Sequence, residues 1–303
     1  MKINKWFWLG VLGTVLGAPN GTVIRFTTAN FDPIYFTFLR FAVTFLATLP
    51  FLIISSKKMN LKSVKYSLLA GVAFFVAVIS FTEAIKLSAA SYASLITLIT
   101  PAFFISYSVK LNNEKISRRA MAGIILSAAG AFIMIFLPIA IKQNADLQIY
   151  PLATVLLLMN CITYPLAAIT VKKANDEGAP MVSIISISSA VIAVMAGLFM
   201  IVDKPSNYSV EPKEWLAVAF SGLVVAIIAR IASIKSYEHI GSVVSSALGY
   251  LGNFLSILIP VIVLGEKLSV EMVAGGFVIL LGIYVLEHHK SEHHKHFHGF
   301  IHH

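Results

Sequence analysis

Ten stretches of this sequence run for at least 15 residues without Asp, Glu, Lys or Arg: 6–24, 41–56, 66–82, 87–109, 120–141, 147–171, 178–202, 215–229, 240–265 and 272–286. A helix that crosses a bilayer needs about 20 consecutive, mostly apolar residues, whereas a membrane strand needs about 9 to 11 in alternation. Continuous runs therefore mean helices. The second run begins near Pro33 once Arg40 is admitted, the eighth continues past Arg230, and the tenth starts near Ser269, so all ten reach spanning length. The chain is 58% hydrophobic and 12% charged, against about 25% charged in soluble domains. A soluble globular enzyme is excluded, and the connections, the longest at 203–214 and 55–65, leave no room for a soluble domain.

The first run follows Lys2 and Lys5 and ends Leu16-Gly17-Ala18, a pattern close to a signal peptide. Leu16 is large for a cleavage site and Pro19 follows it, so the run reads as a first spanning helix. The lone Cys161 lies inside an apolar run and reads as a small buried hydrophobe.

Lys and Arg accumulate in cytoplasmic loops. With the N-terminus inside, sixteen of the 23 Lys and Arg residues fall on the cytoplasmic side, six on the other, and Arg40 within a span. Both termini are thus expected in the cytoplasm of a multi-pass plasma-membrane protein. The net charge of +9 is then a topology signal and not a nucleic-acid surface.

Glu114-Lys115-x-Ser117, with Gly123 and Gly130 after it, recurs 152 residues later as Glu266-Lys267-x-Ser269 with Gly275 and Gly282. In each copy the Ser can cap the next helix, and the glycines permit close helix packing. Glu114 and Glu266 read as structural turn residues. A repeat of five spans crosses an odd number of times, so its second copy enters the membrane from the opposite face. The expected fold is an all-α integral membrane protein of ten transmembrane helices in two inverted five-helix repeats, 1–145 and 146–287, with a His-rich cytoplasmic tail at 288–303.

The paired Glu-Lys-x-Ser segments, together with Asp32-Pro33 leading into Leu39-Arg40-Phe41, resemble the drug/metabolite transporter superfamily, in particular its EamA type with 5+5 helices. Pro101, 13 residues before Glu114, matches a proline frequent in that family; the second-half counterpart is Asn253, a departure. The resemblance implies membrane transport, with a central cavity built largely from helices one, three, four, six, eight and nine.

Candidate solute contacts follow from polar residues at depth. Span one carries Gly17-Ala18-Pro19-Asn20-Gly21, and span six carries Asn160-Cys161-Ile162-Thr163-Tyr164-Pro165. A proline frees a carbonyl one turn earlier, which can bind an ammonium or hydroxyl group or merely mark a kink. Span four contributes Tyr92 among several hydroxyls. In span nine Ser246, Tyr250 and Asn253 share one helical face. Asn20, Tyr92, Asn160, Tyr164, Tyr250 and Asn253 are the proposed cavity set. Arg40 is a candidate clamp for a carboxylate or a partner in a structural pair, and Glu83 a candidate coupling group or a surface partner of Lys86. Arg230 is expected to snorkel to the inner interface, and His239 to lie in a short loop without partners.

Eight of the nine histidines fall within 288–303. They can bind Zn, Ni, Co or Cu ions weakly or form a disordered polar tail. The leading function is a secondary active transporter exporting amino acids or similar small metabolites by alternating access. A divalent metal-cation transporter using the tail and a multidrug exporter are the alternatives; a membrane-embedded enzyme lacks any catalytic constellation. No cofactor is expected. The expected partners are a small-molecule substrate and the lipid bilayer, with no nucleic acid and with a second copy of the chain as a further candidate.

Overall fold

The computed structural model describes residues 5–100, 151–205, 208–268, 270, 273–282 and 284–285, with isolated positions between 103 and 133. Its elements are α1 (Lys5–Gly17), α2 (Asn20–Thr28), α3 (Pro33–Ser55), α4 (Leu61–Leu87), α5 (Ala90–Thr97), α6 (Pro151–Asp176), α7 (Met181–Val202), α8 (Pro212–Ala219), a π-helical segment (Phe220–Ala229), α9 (Arg230–Leu264) and α10 (Val273–Gly282). Among the described residues there is no strand, and six helical runs are long and apolar enough to cross a membrane, α1 with α2 counting as one. The chain is an all-α multi-pass membrane protein.

Local sequence explains the helix ends. The Asp32 carboxylate accepts from the Ile34 and Tyr35 amides at 2.9 Å each, and Pro33 sits at the first helical position, where its missing N–H costs nothing. Asn60 does the same for α4, accepting from the Ser63 amide at 2.7 Å while its Nδ2 donates to the Glu177 carbonyl at the end of α6. After α9 the chain turns at Gly265 with φ +68, a left-handed conformation that glycine adopts without steric cost. The Ser117 and Ser269 caps expected from the repeat lie outside the described residues, as does Glu114.

The regular run α9 contains a reversal. A Cβ on Gly10 would collide with both the Ser236 hydroxyl and the Leu248 side chain. On one straight helix those residues stand about 18 Å apart, so the chain folds back between them. The first limb, with α8 and the π segment, is the eighth span and the second limb the ninth. Both limbs pack on α1: Gly13 faces Ala229 and Ser233, Thr14 faces Gly252, and the Ser236 hydroxyl donates to the Trp6 carbonyl. His239 sits at this reversal, not alone in a loop: its ring stacks on Trp6 with centroids 3.7 Å apart.

The packing has the pattern a two-fold relation between five-span halves requires. The third span (α4) packs along the sixth (α6), as the eighth packs along the first. The second and seventh (α3, α7) pack on each other, as do the fourth and ninth (α5, α9). The fifth and tenth meet at their repeat glycines, where a Cβ on Gly130 would stand 2.7 Å from the Gly275 carbonyl. Exchanging the halves maps each of these pairs onto another or onto itself.

Candidate functional site

The first span is broken. Pro19 has no amide hydrogen to continue the ladder, so α1 stops at Gly17 and α2 restarts at Asn20. In a bilayer, polar groups at such a break must find partners inside the protein, and for the Ala18 carbonyl and the Asn20 side chain these come from the other half of the chain. The Ser256 hydroxyl on α9 donates to the Ala18 carbonyl at 3.2 Å, and Asn20 Oδ1 accepts from the Ser221 hydroxyl in the π segment at 3.0 Å. Ser94 on α5 in turn donates to the Ser256 carbonyl at 3.0 Å. One polar chain thus runs from α5 through α9 and the helix break to the eighth span.

The eighth span is irregular at the same level. Its π-helical residues Phe220–Ala229 carry Gly222 against α3, where an added Cβ would stand 2.6 Å from the Arg40 carbonyl. Thr44 donates to the Gly222 carbonyl at 2.9 Å. Arg40 itself is buried, with its guanidinium over the Phe41 and Phe36 rings at 4.6 and 5.8 Å. No ion pair reaches it among the described residues, so the structural pairing considered for it is not formed among them.

The remaining residues singled out from sequence divide into two groups. Tyr92, Asn160 and Tyr164 gather around α6. The Tyr92 hydroxyl lies 2.6 Å from Thr154 Oγ1, and Asn160 Nδ2 donates to the Ala77 carbonyl of α4 at 2.8 Å. Tyr164 is 45% exposed and meets Phe74 edge-on. Unlike span one, α6 runs unbroken through Pro165. Arg230, expected to snorkel to the inner interface, lies over the Phe74 ring at 4.5 Å. Asn253 is partly exposed one turn before Ser256, while the side chain of Tyr250 lies outside the described residues. Glu83 is partly buried near the end of α4 without an ion pair to Lys86; Lys86, Asp32 and Asp203 are the charges within its electrostatic reach.

Two residues have roles that sequence reasoning passed over. Ser256 lies three positions beyond Asn253, so the same helical-face argument extends to it. Glu266 read as a turn residue, yet its carboxylate caps α5, accepting from the Ala90 and Ser91 amides and the Ser91 hydroxyl at 2.9, 2.8 and 2.6 Å. Beside it a cavity of about 630 Å3 opens between Arg25, Ser88, Lys213, Glu214 and Lys267. Arg25 closes the neighbouring helix end by donating to the Ile85 and Lys86 carbonyls of α4 at 3.1 and 2.7 Å. Among the described residues no group of three or more His, Cys, Asp or Glu residues could hold a metal ion.

Comparison with known proteins agrees with this architecture. No curated protein matches the chain. A solved structure described only as "Crystal structure of protein" shares the fold, with a TM-score of 0.61 and 17% identity over 92% of this chain and 95% of that one. The model of the EamA-like transporter family matches twice, over residues 4–136 and 151–287. These two matches take in both halves of the packing pattern, and the chain belongs to the EamA-like transporter family.

Proposed function

We propose that this transporter is a secondary active exporter of amino acids or similar small metabolites, working by alternating access as its two halves rock around a central cavity. The observation that carries the reading is the broken first span, whose Ala18 carbonyl and Asn20 side chain are held by Ser256 and Ser221 of the second half. Interrupted helices at the interface between repeats are where secondary transporters bind solutes near the membrane midplane. Such bonds between halves can be exchanged for bonds to a solute at little net cost, because one polar partner replaces another.

In this reading Asn20, Tyr92, Tyr250 and Asn253 contact the solute. Asn160, whose amide is bonded to Ala77, braces α6 against α4, and Tyr164 supports the cavity wall through Phe74. Glu83 carries the coupling proton. The termini face the cytoplasm, as the Lys and Arg distribution argues.

The test is counterflow in proteoliposomes holding the purified protein, with amino acids, nucleosides, sugars and divalent metals offered in parallel. Labelled amino acids should accumulate against an unlabelled internal pool. Exchange of divalent metals alone, or of no organic solute, would overturn the assignment.

A further inference from the structure

The Arg40 guanidinium lies inside the bundle with no counter-charge among the described residues. The residue is 7% exposed, and neither Nε nor Nη1, which together carry three of its five N–H donors, has an acceptor. One turn earlier on α3 the Thr37 side chain is fully buried, and its hydroxyl also has no partner. Thr27, Thr28, Thr48 and Thr82 return their hydroxyl to the carbonyl four residues before, while Thr22 on α2 is buried without a partner as Thr37 is. Thr37 makes no such bond, so its hydroxyl is turned away from that backbone acceptor.

Positions 37 and 40 share one helix face, and a long helical side chain leans over the turn before its own Cα. That brings the guanidinium toward Thr37. A buried cation without a partner is among the costliest groups a fold can keep, and ring faces compensate it only in part. The π segment, an irregularity of the kind that recurs at functional sites, meets the backbone of the same turn at Gly222, where an added Cβ would stand 2.6 Å from the Arg40 carbonyl.

We infer that Arg40 and Thr37 form a buried binding site for a small monovalent anion of the carboxylate class. The inference rests on the transport reading, because the occupant is the carboxylate of the exported solute. A free inorganic anion would present the same charge, and the test separates the two sources. The guanidinium supplies charge-assisted donors, and the Thr37 hydroxyl can donate to the same oxygen atoms.

The test is thermal unfolding of the full-length protein in detergent, at constant ionic strength in sodium Hepes, titrated with sodium acetate, sodium chloride or uncharged acetamide. Acetate should raise Tm saturably and acetamide should not. Arg40→Met should lose the response and, before acetate or chloride is added, should unfold at a higher temperature than the wild type because an uncompensated charge has gone. Should Arg40→Met not fold, two further variants decide. Arg40→Lys keeps the charge and should bind acetate roughly 10-fold more weakly, with Thr37→Val weakened about 3- to 10-fold by loss of one hydrogen bond. An absent acetate response in the wild type, or an unchanged one in these variants, would overturn the site; a response to chloride alone would overturn its assignment to a carboxylate. Counterflow separates the two readings. Solute exchange without anion-dependent Tm removes only the Arg40 site, whereas acetate binding through Arg40 without exchange of any organic solute removes the export reading.

Discussion

The Glu266 carboxylate reaches across 175 residues of sequence to hold the first turn of α5 through Ser91, accepting from its amide at 2.8 Å and from its hydroxyl at 2.6 Å. The other carboxylate oxygen takes the Ala90 amide. The first turn of any helix has free N–H groups and a partial positive charge, and an anion there satisfies both. Glu266 thereby joins the chain between the ninth and tenth spans to the fourth, so a turn residue of the second half fixes a helix of the first.

Glu266→Ala should therefore destabilise the protein by about 2–3 kcal/mol, since charge-assisted bonds are lost and two amides are left without their acceptor. Glu266→Gln keeps the shape and one acceptor oxygen and should cost about 1 kcal/mol. Thermal unfolding in detergent measures both. Equal melting temperatures for Glu266→Ala and the wild type would show that water replaces the carboxylate without loss.

The sequence made this glutamate conspicuous without revealing what it does. Apolar runs and loop charges make the spans readable because the bilayer imposes one length and one polarity on every crossing. The 152-residue recurrence made two halves readable for the same reason. Ser91, in contrast, is joined to Glu266 only by the tertiary fold, and no local rule connects them. Pro19 announces a broken helix through its own chemistry, whereas the donors that heal the break, Ser221 and Ser256, are two serines among many. The π segment Phe220–Ala229 is uniformly apolar apart from Ser221, so its altered hydrogen-bond ladder leaves no mark on composition or period.

The helix break makes a prediction of opposite sign for stability and transport. Pro19→Ala restores the missing donor, allows α1 to run on toward α2, and should leave the melting temperature equal or higher. Counterflow should fall several-fold because a helix continuing through residue 19 would let the Ala18 carbonyl accept from the Thr22 amide instead of remaining open at the break. Ser256→Ala removes the donor to that carbonyl at a cost of about 0.6–1 kcal/mol, in the range measured for hydrogen bonds between membrane helices. Transport that survives both changes at wild-type rates would detach the break from the pathway.

Close backbone approach predicts a contrast between two glycines. A Cβ on Gly222 would stand 2.6 Å from the Arg40 carbonyl, a rigid neighbour, so Gly222→Ala must push the π segment off α3. Overpacking of this kind costs about 1–3 kcal/mol, and the yield of folded protein should drop. Gly17 has nothing within 4 Å of its added Cβ. Gly17→Ala should be neutral or stabilising by up to about 1 kcal/mol, the helix-propensity difference between the two residues. Size-exclusion profiles and melting temperatures of the pair distinguish a packing effect from a general intolerance of substitution in the spans.

Glu83 gives the test of coupling. It lies in the last turns of α4, partly buried, without the ion pair to Lys86 that a purely structural role would favour, and with Asp32 and Asp203 as its acidic neighbours. A carboxyl group so placed can exchange a proton with one face of the membrane without first breaking a salt bridge. Glu83→Gln keeps the volume and hydrogen-bonding capacity and removes the proton site. If Glu83 couples transport to protons, an imposed pH gradient should drive solute movement in wild-type proteoliposomes and not in the variant, while counterflow, which needs no net proton movement, continues at a comparable rate. A variant that still responds to the gradient assigns coupling elsewhere, and one that loses counterflow as well assigns Glu83 to the solute path itself.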